Sequence, residues 1–438
     1  MSKDVIWKEE TKKNLKNFPI GNDVMPKQLL KSLLQIKIAA ARTNVELGLL
    51  DRHKGGAIEE AALEIIKDNR YELFPLSVYQ TGSGTHTNMN VNEVLAAYGE
   101  RKGFNIHPND DVNMSQSSND VFPSAMHIAA YVSLKEHLIQ QAAKLEEIFK
   151  EKEREYKNVL KIGRTHLQDA VPLTFGQELS AYKEMMKRDK KMLEESLKDL
   201  SFLALGGTAV GTGLNAPKGF GEKAAENLSK ITGCPFKESK NKFYELTSKG
   251  VLAEAHSKVK VLSCDLFKIA NDIKLLASGP NAGLSEIKLP ENEKGSSIMP
   301  GKVNPTQAEA LSMVCIRVMG NDTTITLGSS LGVLELNTYM PVIINCFLES
   351  VMLLSDSIKS FNDNCIKGME PDIAKMREHM ERSIMAVTAL TPVIGYEKAE
   401  EAAKYAKKNG ISIRKACIRL KVLEEGELDK LLDFKKMV

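Results

Sequence analysis

Apolar residues in the middle of the chain recur at three- and four-residue steps over long stretches. The clearest series is Val251, Ala255, Val259, Leu262, Leu266, Ile269, Ile273 and Leu276. This spacing places its members on one face of a helix of about 28 residues, roughly 40 Å long at about 1.5 Å per residue. Residues 124–150 and 176–205 have the same spacing, and the second stretch ends at Gly206 and Gly207.

Proline placement supports long helices, because proline is excluded from helix interiors. The long proline-free intervals are 124–171, 173–216, 236–279 and 306–340. Alternation of the strand type, with β-branched enrichment, is almost absent from the chain. The pattern therefore predicts an all-α protein.

Helices of this length cannot be covered by one small domain, so we expect a central bundle. Polar residues such as Lys260, Asn271 and Asp272 interrupt the third helix, which favours packing against helices of other subunits. The flanking regions mix shorter helices with loops. We predict three domains: a mixed helix and loop domain over 1–116, a helical bundle over 117–365 and a small helical domain over 366–438.

The composition of the 438 residues, 42% hydrophobic and 27% charged, is that of an ordinary globular protein. A formal charge of +3 is small for this length and argues against nucleic-acid binding by bulk electrostatics. The N-terminal sequence has no signal-peptide pattern, and no uninterrupted apolar run reaches the roughly 18 residues of a membrane span. We expect a cytoplasmic protein that binds neither membranes nor nucleic acid.

The six cysteines are scattered, with no C-x-x-C pair. This spacing argues against a zinc site, an iron–sulfur cluster and a disulfide framework. Most cysteines fall in apolar helical patterns and are expected to be small buried hydrophobes. We expect no metal and no cofactor.

The segment 295–305, GSSIMPGKVNP, carries the strongest chemical signal. Ser296 can serve as a base or nucleophile, Lys302 supplies fixed positive charge and Asn304 supplies amide donors. Glycines on both sides allow the backbone to fold closely around a small anion. The alternative interpretation is a glycine-rich surface loop with an incidental lysine.

Three other segments carry polar groups next to predicted helices. They are TGSGTHTNMN at 81–90, SQSSND at 115–120 and GRTHLQDAVPLTFGQE at 163–178. Hydroxyls and free N–H groups at a helix start can bind an anion, although each of the first two segments alone is also typical of a helix cap. In the third segment His166 could act as an acid or base if a carboxylate orients it, and Glu309 is the candidate.

Six motifs occur in a characteristic order: TGSGT, HPNDDVN, SQSSND, GRTH, GGTAVGTGLN and GSSIMPGKVNP. In this order they resemble the fumarase/aspartase superfamily of lyases. The chain is most similar to fumarases of the cofactor-free type, and the resemblance runs from about Phe18 to the C-terminus.

The resemblance implies roles for individual residues. Ser296 would remove the proton from the carbon next to a carboxylate, and Lys302 and Asn304 would hold that carboxylate. Thr165 and His166 would come from a second subunit, with His166 paired to Glu309. The other carboxylate and the hydroxyl end would be bound by Thr85, Ser117, Ser118 and Asn119, with Ser83 nearby. A secondary anion site is matched by His107, Asn109 and Asp110.

The resemblance also implies an activity and an assembly. The expected reaction is the reversible hydration of fumarate to (S)-malate, in the tricarboxylic acid cycle, by a homotetramer with a many-helix core and shared sites. An aspartate ammonia-lyase and a non-catalytic structural relative are the alternatives. Ser83 and His166 favour the fumarase, because ammonia-lyases tend to have Ala and Gln there. Retention of Ser296, Lys302, Asn304 and His166 argues against a non-catalytic relative.

Overall fold

The structure is a computed structural model that describes residues 6–438. The first five residues of the predicted N-terminal domain therefore lie outside the described residues. The chain forms two compact units, each assembled from separate stretches. The first unit comprises the chain up to Gln140, Asp189–Cys264 and Val314–Asp356, and the second comprises Gln141–Arg188, Asp265–Met313 and Ser357–Val438.

Helices account for most of the described chain. In order they are α1 Glu9–Asn17, α2 Lys27–Glu46, α3 Arg52–Lys67, α4 Thr85–Arg101, α5 Ser118–Ser133, α6 Ile139–Glu155, α7 Phe175–Leu200, α8 Phe220–Thr232, α9 Lys242–Thr247, α10 Gly250–Leu276, α11 Thr306–Ser330, α12 Met340–Phe361, α13 Ile373–Arg382, α14 Thr391–Ile394, α15 Tyr396–Asn409, α16 Ile413–Arg419 and α17 Glu425–Leu431.

The strands are few and short. They are β1 Leu160–Thr165, β2 Gln168–Thr174, β3 Phe202–Leu203, β4 Lys237–Glu238, β5 Ile287–Lys288 and β6 Glu370–Pro371. Each pairs with one partner, so the chain has three two-stranded sheets within residues 6–438. The prediction of an all-α fold is confirmed. The predicted domain boundaries at residues 116 and 365 stay a prediction.

The longest predicted helix is confirmed, since α10 runs from Gly250 to Leu276 and its apolar face is buried. Two other predicted boundaries were wrong. The second long helix, α7, ends at Leu200 rather than near residue 205. Helix α5 begins at Ser118 rather than Ser124, because Ser117 and Asp120 form a capping box ahead of Pro123.

The core of the first unit is built around α2, which packs on α3, α5 and α8. Its apolar side chains, including Leu33, Ile36 and Ile38, are fully buried. Polar residues are buried on the same helix, among them Lys37 and Asn44. Buried polar groups require partners, and these two contact the segment that leads into α5.

The second unit contains the antiparallel hairpin β1–β2, whose register pairs Leu160 with Thr174 and Thr165 with Gln168. Helix α13 packs on β1. Beyond residue 384, short helices enclose a small apolar core of their own that includes Leu390, Ala402, Ala416 and Leu428. The charged helix α15 contributes one buried alanine face to this core, and its charged residues lie on the outside.

Residues 340–366, formed by α12 and the turn after it, have the length and composition of a possible membrane span. However, 61% of the most apolar window is buried inside the protein. A core helix passes the same test, since it is apolar for the same reason. This segment is therefore weak evidence for membrane insertion.

Candidate active site

The N-terminus of α4 presents the hydroxyls of the first polar segment. Gly84 precedes the helix with φ of +71°, and a Cβ atom there would lie 2.2 Å from the ring of Phe122. Only glycine fits this position without strain. The Ser83 and Thr85 hydroxyl oxygens are 2.7 Å apart. The N-cap residue Gly84 provides no side-chain cap for this helix, and in its first turn the Thr87 N–H donates to Gln80 Oε1 at 3.1 Å.

The N-terminus of α5 holds the second polar segment. Ser117 Oγ accepts a hydrogen bond from the Asn119 N–H, and the Asp120 carboxylate accepts one from the Ser117 N–H at 2.9 Å. The capping interpretation of Ser117 is therefore confirmed. Thr85 Oγ1 lies 2.9 Å from Ser118 Oγ, which joins the two helix starts. Three hydroxyls thus form a chain from Ser83 to Ser118 at two helix N-termini, where anions are stabilised.

Asp120 is fully buried and holds a third segment, residues 206–215, next to the two helix starts. Its Oδ2 accepts hydrogen bonds from the N–H groups of Gly206 at 3.1 Å and Thr208 at 2.9 Å. Burial raises the pKa of the Asp120 carboxyl to about 6, and the three backbone donors oppose that rise. Asn119 Nδ2 donates to the carbonyl of Ala209 at 2.9 Å. The glycine-rich segment 206–215 is therefore held next to the start of α5.

The loop 295–305 folds back on itself in the second unit. A Cβ atom at Gly295 would lie 2.1 Å from the Lys302 carbonyl oxygen, so the two backbone segments touch there. Asn304 Nδ2 donates to the Gly295 carbonyl at 2.6 Å and closes the loop. Ser296 Oγ accepts hydrogen bonds from the N–H groups of Ile298 at 3.2 Å and Met299 at 3.1 Å. These two donors would stabilise negative charge on the Ser296 oxygen.

Lys302 and Asn304 line a cavity of about 730 Å³ in the second unit. Two other lysines of this cavity are already paired, Lys288 with Asp372 at 3.0 Å and Lys375 with Glu378 at 2.9 Å. Among the described residues, none forms a hydrogen bond or ion pair with the Lys302 ammonium. Its charge is therefore available to an anion.

The segment that carries Thr165 and His166 is a hairpin turn, which the sequence analysis did not predict. His166 and Leu167 form a two-residue loop with φ of +56° and +60°. Positive φ at both central residues is the backbone of a type I′ turn, which suits the twist of the strands. Thr165 and His166 are exposed at the tip. A segment predicted only to precede a helix instead projects a histidine into solvent.

A buried ion cluster anchors the base of this hairpin. The Glu286 carboxylate is fully buried and contacts Arg164 at 2.7 Å, His379 at 2.9 Å and Lys161 at 3.1 Å. Burial opposes ionisation of Glu286, but the hydrogen bond from Arg164 and the charge of Lys161 outweigh it and lower the pKa of the carboxyl. Arg164 precedes Thr165 directly, so the cluster fixes the strand that carries the exposed pair.

Glu309 lies in the first turn of α11 and is exposed. Within residues 6–438 of one chain, no hydrogen bond or ion pair joins it to His166. The residues predicted for a secondary anion site lie close together: His107 Nδ1 is 3.1 Å from Asp110 Oδ2, and the neighbouring Asn109 is exposed. Asp111 holds this turn by accepting from the His107 N–H at 2.7 Å.

The sequence analysis missed Asp120 and Glu286, which position the candidate residues. The spacing of Ser117 and Asp120 is a capping-box pattern, and it could have identified Asp120. Glu286 carries no local signal, because its partners are distant in sequence. In the described part of the chain, no three His, Cys, Asp or Glu residues form a group able to hold a metal ion.

Comparison with known proteins defines the class first. A family model described as "Lyase" matches residues 1–320, and one described as "Fumarase C C-terminus" matches residues 387–438. The fold and these matches make the chain an enzyme of the lyase class.

Individual relatives identify the family within the lyase class. A class II fumarate hydratase of Bacillus cereus is 50% identical over 441 aligned residues, covering 99% of this chain and 96% of the relative. A class II fumarate hydratase of Helicobacter pylori is 50% identical, with 99% and 95% covered. A crystal structure of class II fumarase from Schistosoma mansoni has a TM-score of 0.97 at 39% identity, with 100% of this chain and 96% of that chain covered. The chain belongs to the class II fumarate hydratase family.

Proposed function

We propose that this protein catalyses the reversible hydration of fumarate to (S)-malate in the tricarboxylic acid cycle, as a cytoplasmic enzyme. The observation that carries the proposal is the 50% identity, over nearly the whole chain, to proteins named class II fumarate hydratase. The geometry of the candidate residues supports a mechanism for this reaction. The substrate is a small dicarboxylate, so its two ends need separate anion sites.

In the direction from malate to fumarate, Ser296 takes the proton from the carbon next to one carboxylate. The electron pair moves into that carboxylate and gives an aci-carboxylate, which carries an extra negative charge. Lys302 and Asn304 hold this group and stabilise the added charge. The N–H groups of Ile298 and Met299 support the ionised form of Ser296 that the proton transfer requires. The bond from the neighbouring carbon to the hydroxyl then breaks.

The other carboxylate and the hydroxyl end are bound by Thr85, Ser118 and Asn119, with Ser117 and Ser83 beside them. The chain of hydroxyls at two helix starts supports this role, because it offers donors and favourable dipoles to an anion. Asn119 is already held by the Ala209 carbonyl, which fixes its orientation. His107, Asn109 and Asp110 form a secondary anion site outside the reaction.

The departing hydroxide needs a proton, which we assign to His166, oriented by Glu309 or acting through an ordered water. In our proposal Thr165 and His166 come from a second subunit of a homotetramer with dihedral symmetry, in which three chains build each site. The exposure of His166 on a fixed hairpin supports this. On α11, the apolar side chains of Met313, Ile316 and Leu327 lie on one face and are more than half exposed. Such a face is suited to packing in a many-helix core.

Two of the three predicted domains, over 1–116 and 117–365, would then supply different parts of the site, and the third, over 366–438, supplies none of the candidate residues. Segments 81–90 and 107–110 fall in the first of them, and the remaining candidate residues fall in the second. An ammonia-lyase would use the same Ser296 and Lys302, but it has less need of the His166 pair. The hydratase is therefore the better fit.

Fumarate hydration is expected to survive exhaustive chelation and exposure to air, because Lys302 and the backbone donors provide the charge stabilisation. The experiment incubates the purified chain with fumarate after chelation and follows malate by proton NMR. A parallel sample receives ferrous iron or zinc. Absence of malate in all samples would refute the function. Activity lost on chelation and restored by either metal would overturn the cofactor-free mechanism alone.

A further inference from the structure

A buried hydrogen-bond network lies behind the two hydroxyl-bearing helix starts, and Asn113 is its centre. Asn113 Oδ1 accepts hydrogen bonds from Lys37 Nζ at 3.0 Å, Asn88 Nδ2 at 3.0 Å and Asn92 Nδ2 at 3.2 Å. Lys37 belongs to α2, and Asn88 and Asn92 are one turn apart on α4. Three donors from two helices therefore meet on one oxygen.

The same network fixes the backbone immediately before α5. Lys37 Nζ also donates to Gln116 Oε1 at 3.0 Å, and Asn113 Nδ2 donates to the Gln116 carbonyl at 3.1 Å. Gln116 Nε2 in turn donates to the carbonyls of Val112 at 3.1 Å and Met114 at 3.0 Å. Gln116 precedes Ser117 directly, so the network determines where the first turn of α5 begins.

Asn44 adds a second attachment from α2. It lies seven residues after Lys37 and therefore on the same helix face. Its Nδ2 donates to the Met114 carbonyl at 3.1 Å, and its Oδ1 accepts from Ser115 Oγ at 2.8 Å. Ser115 has φ of +64°, a strained value for a serine that these contacts sustain.

The network is costly, which indicates that its geometry matters. Lys37 is fully buried, and burial lowers the pKa of its ammonium to about 7, opposed by the Asp120 carboxylate. The side-chain oxygens of Asn88 and Asn92 are buried and have no hydrogen-bond partner. Burying such groups destabilises a protein, and an apolar side chain would fill the same space at lower cost.

We propose that Lys37 and Asn113 are positioning residues that set the register between the starts of α4 and α5. Through Asn88 they fix the helix that begins at Thr85, and through Gln116 they fix the helix that begins at Ser118. This inference rests on the proposed function, in which those two hydroxyls bind one carboxylate. A carboxylate that does not react is held in the ground state and in the transition state alike. Loss of register should therefore raise KM more than it lowers kcat.

Lys249 provides a matched control for Lys37. It is also buried in the first unit, at 1% exposure against 0% for Lys37, and burial lowers its pKa to about 7 as well. Its ammonium donates to backbone carbonyls around the start of α10, including Ser248 at 2.8 Å, and to none of the candidate residues. Lys37→Met and Lys249→Met remove the same chemical group from equally buried sites.

The experiment measures kcat, KM for malate and melting temperature for both variants, and the affinity for succinate, a dicarboxylate that cannot react. For Lys37→Met we expect KM and the succinate Kd to rise about ten-fold, with kcat within about three-fold of the wild-type value. For Lys249→Met we expect KM and the succinate Kd to stay within about two-fold of the wild-type values, at a similar loss of melting temperature. Equal changes in the two variants, or an unchanged KM in Lys37→Met, would overturn the inference.

A second variant decides the question if Lys37→Met cannot be purified folded. Gln116 is half-buried, and Gln116→Met removes one acceptor of the Lys37 ammonium. This variant should raise KM about three-fold with little change in kcat. An unchanged KM would overturn the inference. Failure of the wild-type chain to dehydrate malate would instead refute the proposed function, so the two failures are distinguishable.

Discussion

Ser296→Ala is expected to lower kcat for malate by about 10²- to 10⁴-fold, because general-base catalysis contributes on that scale. Substrate binding should persist, since Lys302, Asn304 and Thr85 remain in place. The two N–H groups that now donate to Ser296 Oγ would face the substrate or water instead. The measurement is kcat from fumarate absorbance, with succinate affinity determined on the same sample.

Ser297→Ala is the matched control, since it removes the same atom one residue later. Ser297 is exposed, and within the described chain no backbone N–H donates to its hydroxyl. Its loss should leave kcat close to the wild-type value. An inactive Ser297→Ala together with an active Ser296→Ala would contradict the assignment of the base.

Mixing two inactive variants is expected to restore activity. Ser296→Ala and His166→Asn each disable a different contribution to the site, and in our proposal these contributions come from different chains. In a tetramer reassembled at random from equal amounts, a site needs one chain with intact Ser296 and another with intact His166. Each condition holds with a probability of about one half, so about one quarter of the sites should be active.

The control for this experiment reassembles each variant alone, under the same denaturation and renaturation steps. Wild-type chains treated in the same way give the reference activity. Mixed samples that remain as inactive as either variant, with a tetramer confirmed by light scattering, would contradict shared sites. A monomeric mass with full activity would contradict the tetramer itself.

Helix periodicity made the fold predictable. The apolar face of α10 is continuous over its whole length, so the sequence placed both ends within a residue or two. Helix α7 ended early because Phe202 and Leu203 pair with Lys237 and Glu238 in a short parallel sheet. A pairing between residues so distant in sequence leaves no local periodicity to detect.

The hairpin β1–β2 could not be predicted for a related reason. Its turn, His166–Leu167, lacks the glycine or asparagine that normally marks positive φ, and Pro172 lies within the second strand. The strained turn is sustained from outside by the Arg164–Glu286 contact. The local sequence disfavours this turn, and tertiary contacts stabilise it.

The candidate residues were accessible to sequence reasoning because the motifs are local and their order is characteristic. The residues that position them could not be found in this way. Lys37, Asp120 and Glu286 contact Asn113, Gly206 and Arg164, respectively, and the partners are 76 to 122 residues apart in sequence. The structure adds the chain of hydroxyls that links the candidate residues Ser83, Thr85 and Ser118. Side-chain contacts of that kind depend on how helices pack.

The leaving group separates hydration from ammonia elimination. Hydroxide is a poor leaving group and needs a proton from a positioned acid, which we assign to His166. A departing amine carries its proton as ammonium, so it has less need of that residue. His166→Asn should therefore lower kcat for malate with a smaller effect on KM.

The most direct test of the hydratase assignment is the rate of fumarate formation from malate and from aspartate, followed by fumarate absorbance under identical conditions. Argininosuccinate serves as a third substrate. Our account predicts that kcat/KM for malate exceeds that for aspartate by roughly 10³-fold or more, since each missing interaction in a polar site is costly. Aspartate consumption at a rate comparable to that of malate would contradict it and favour an ammonia-lyase.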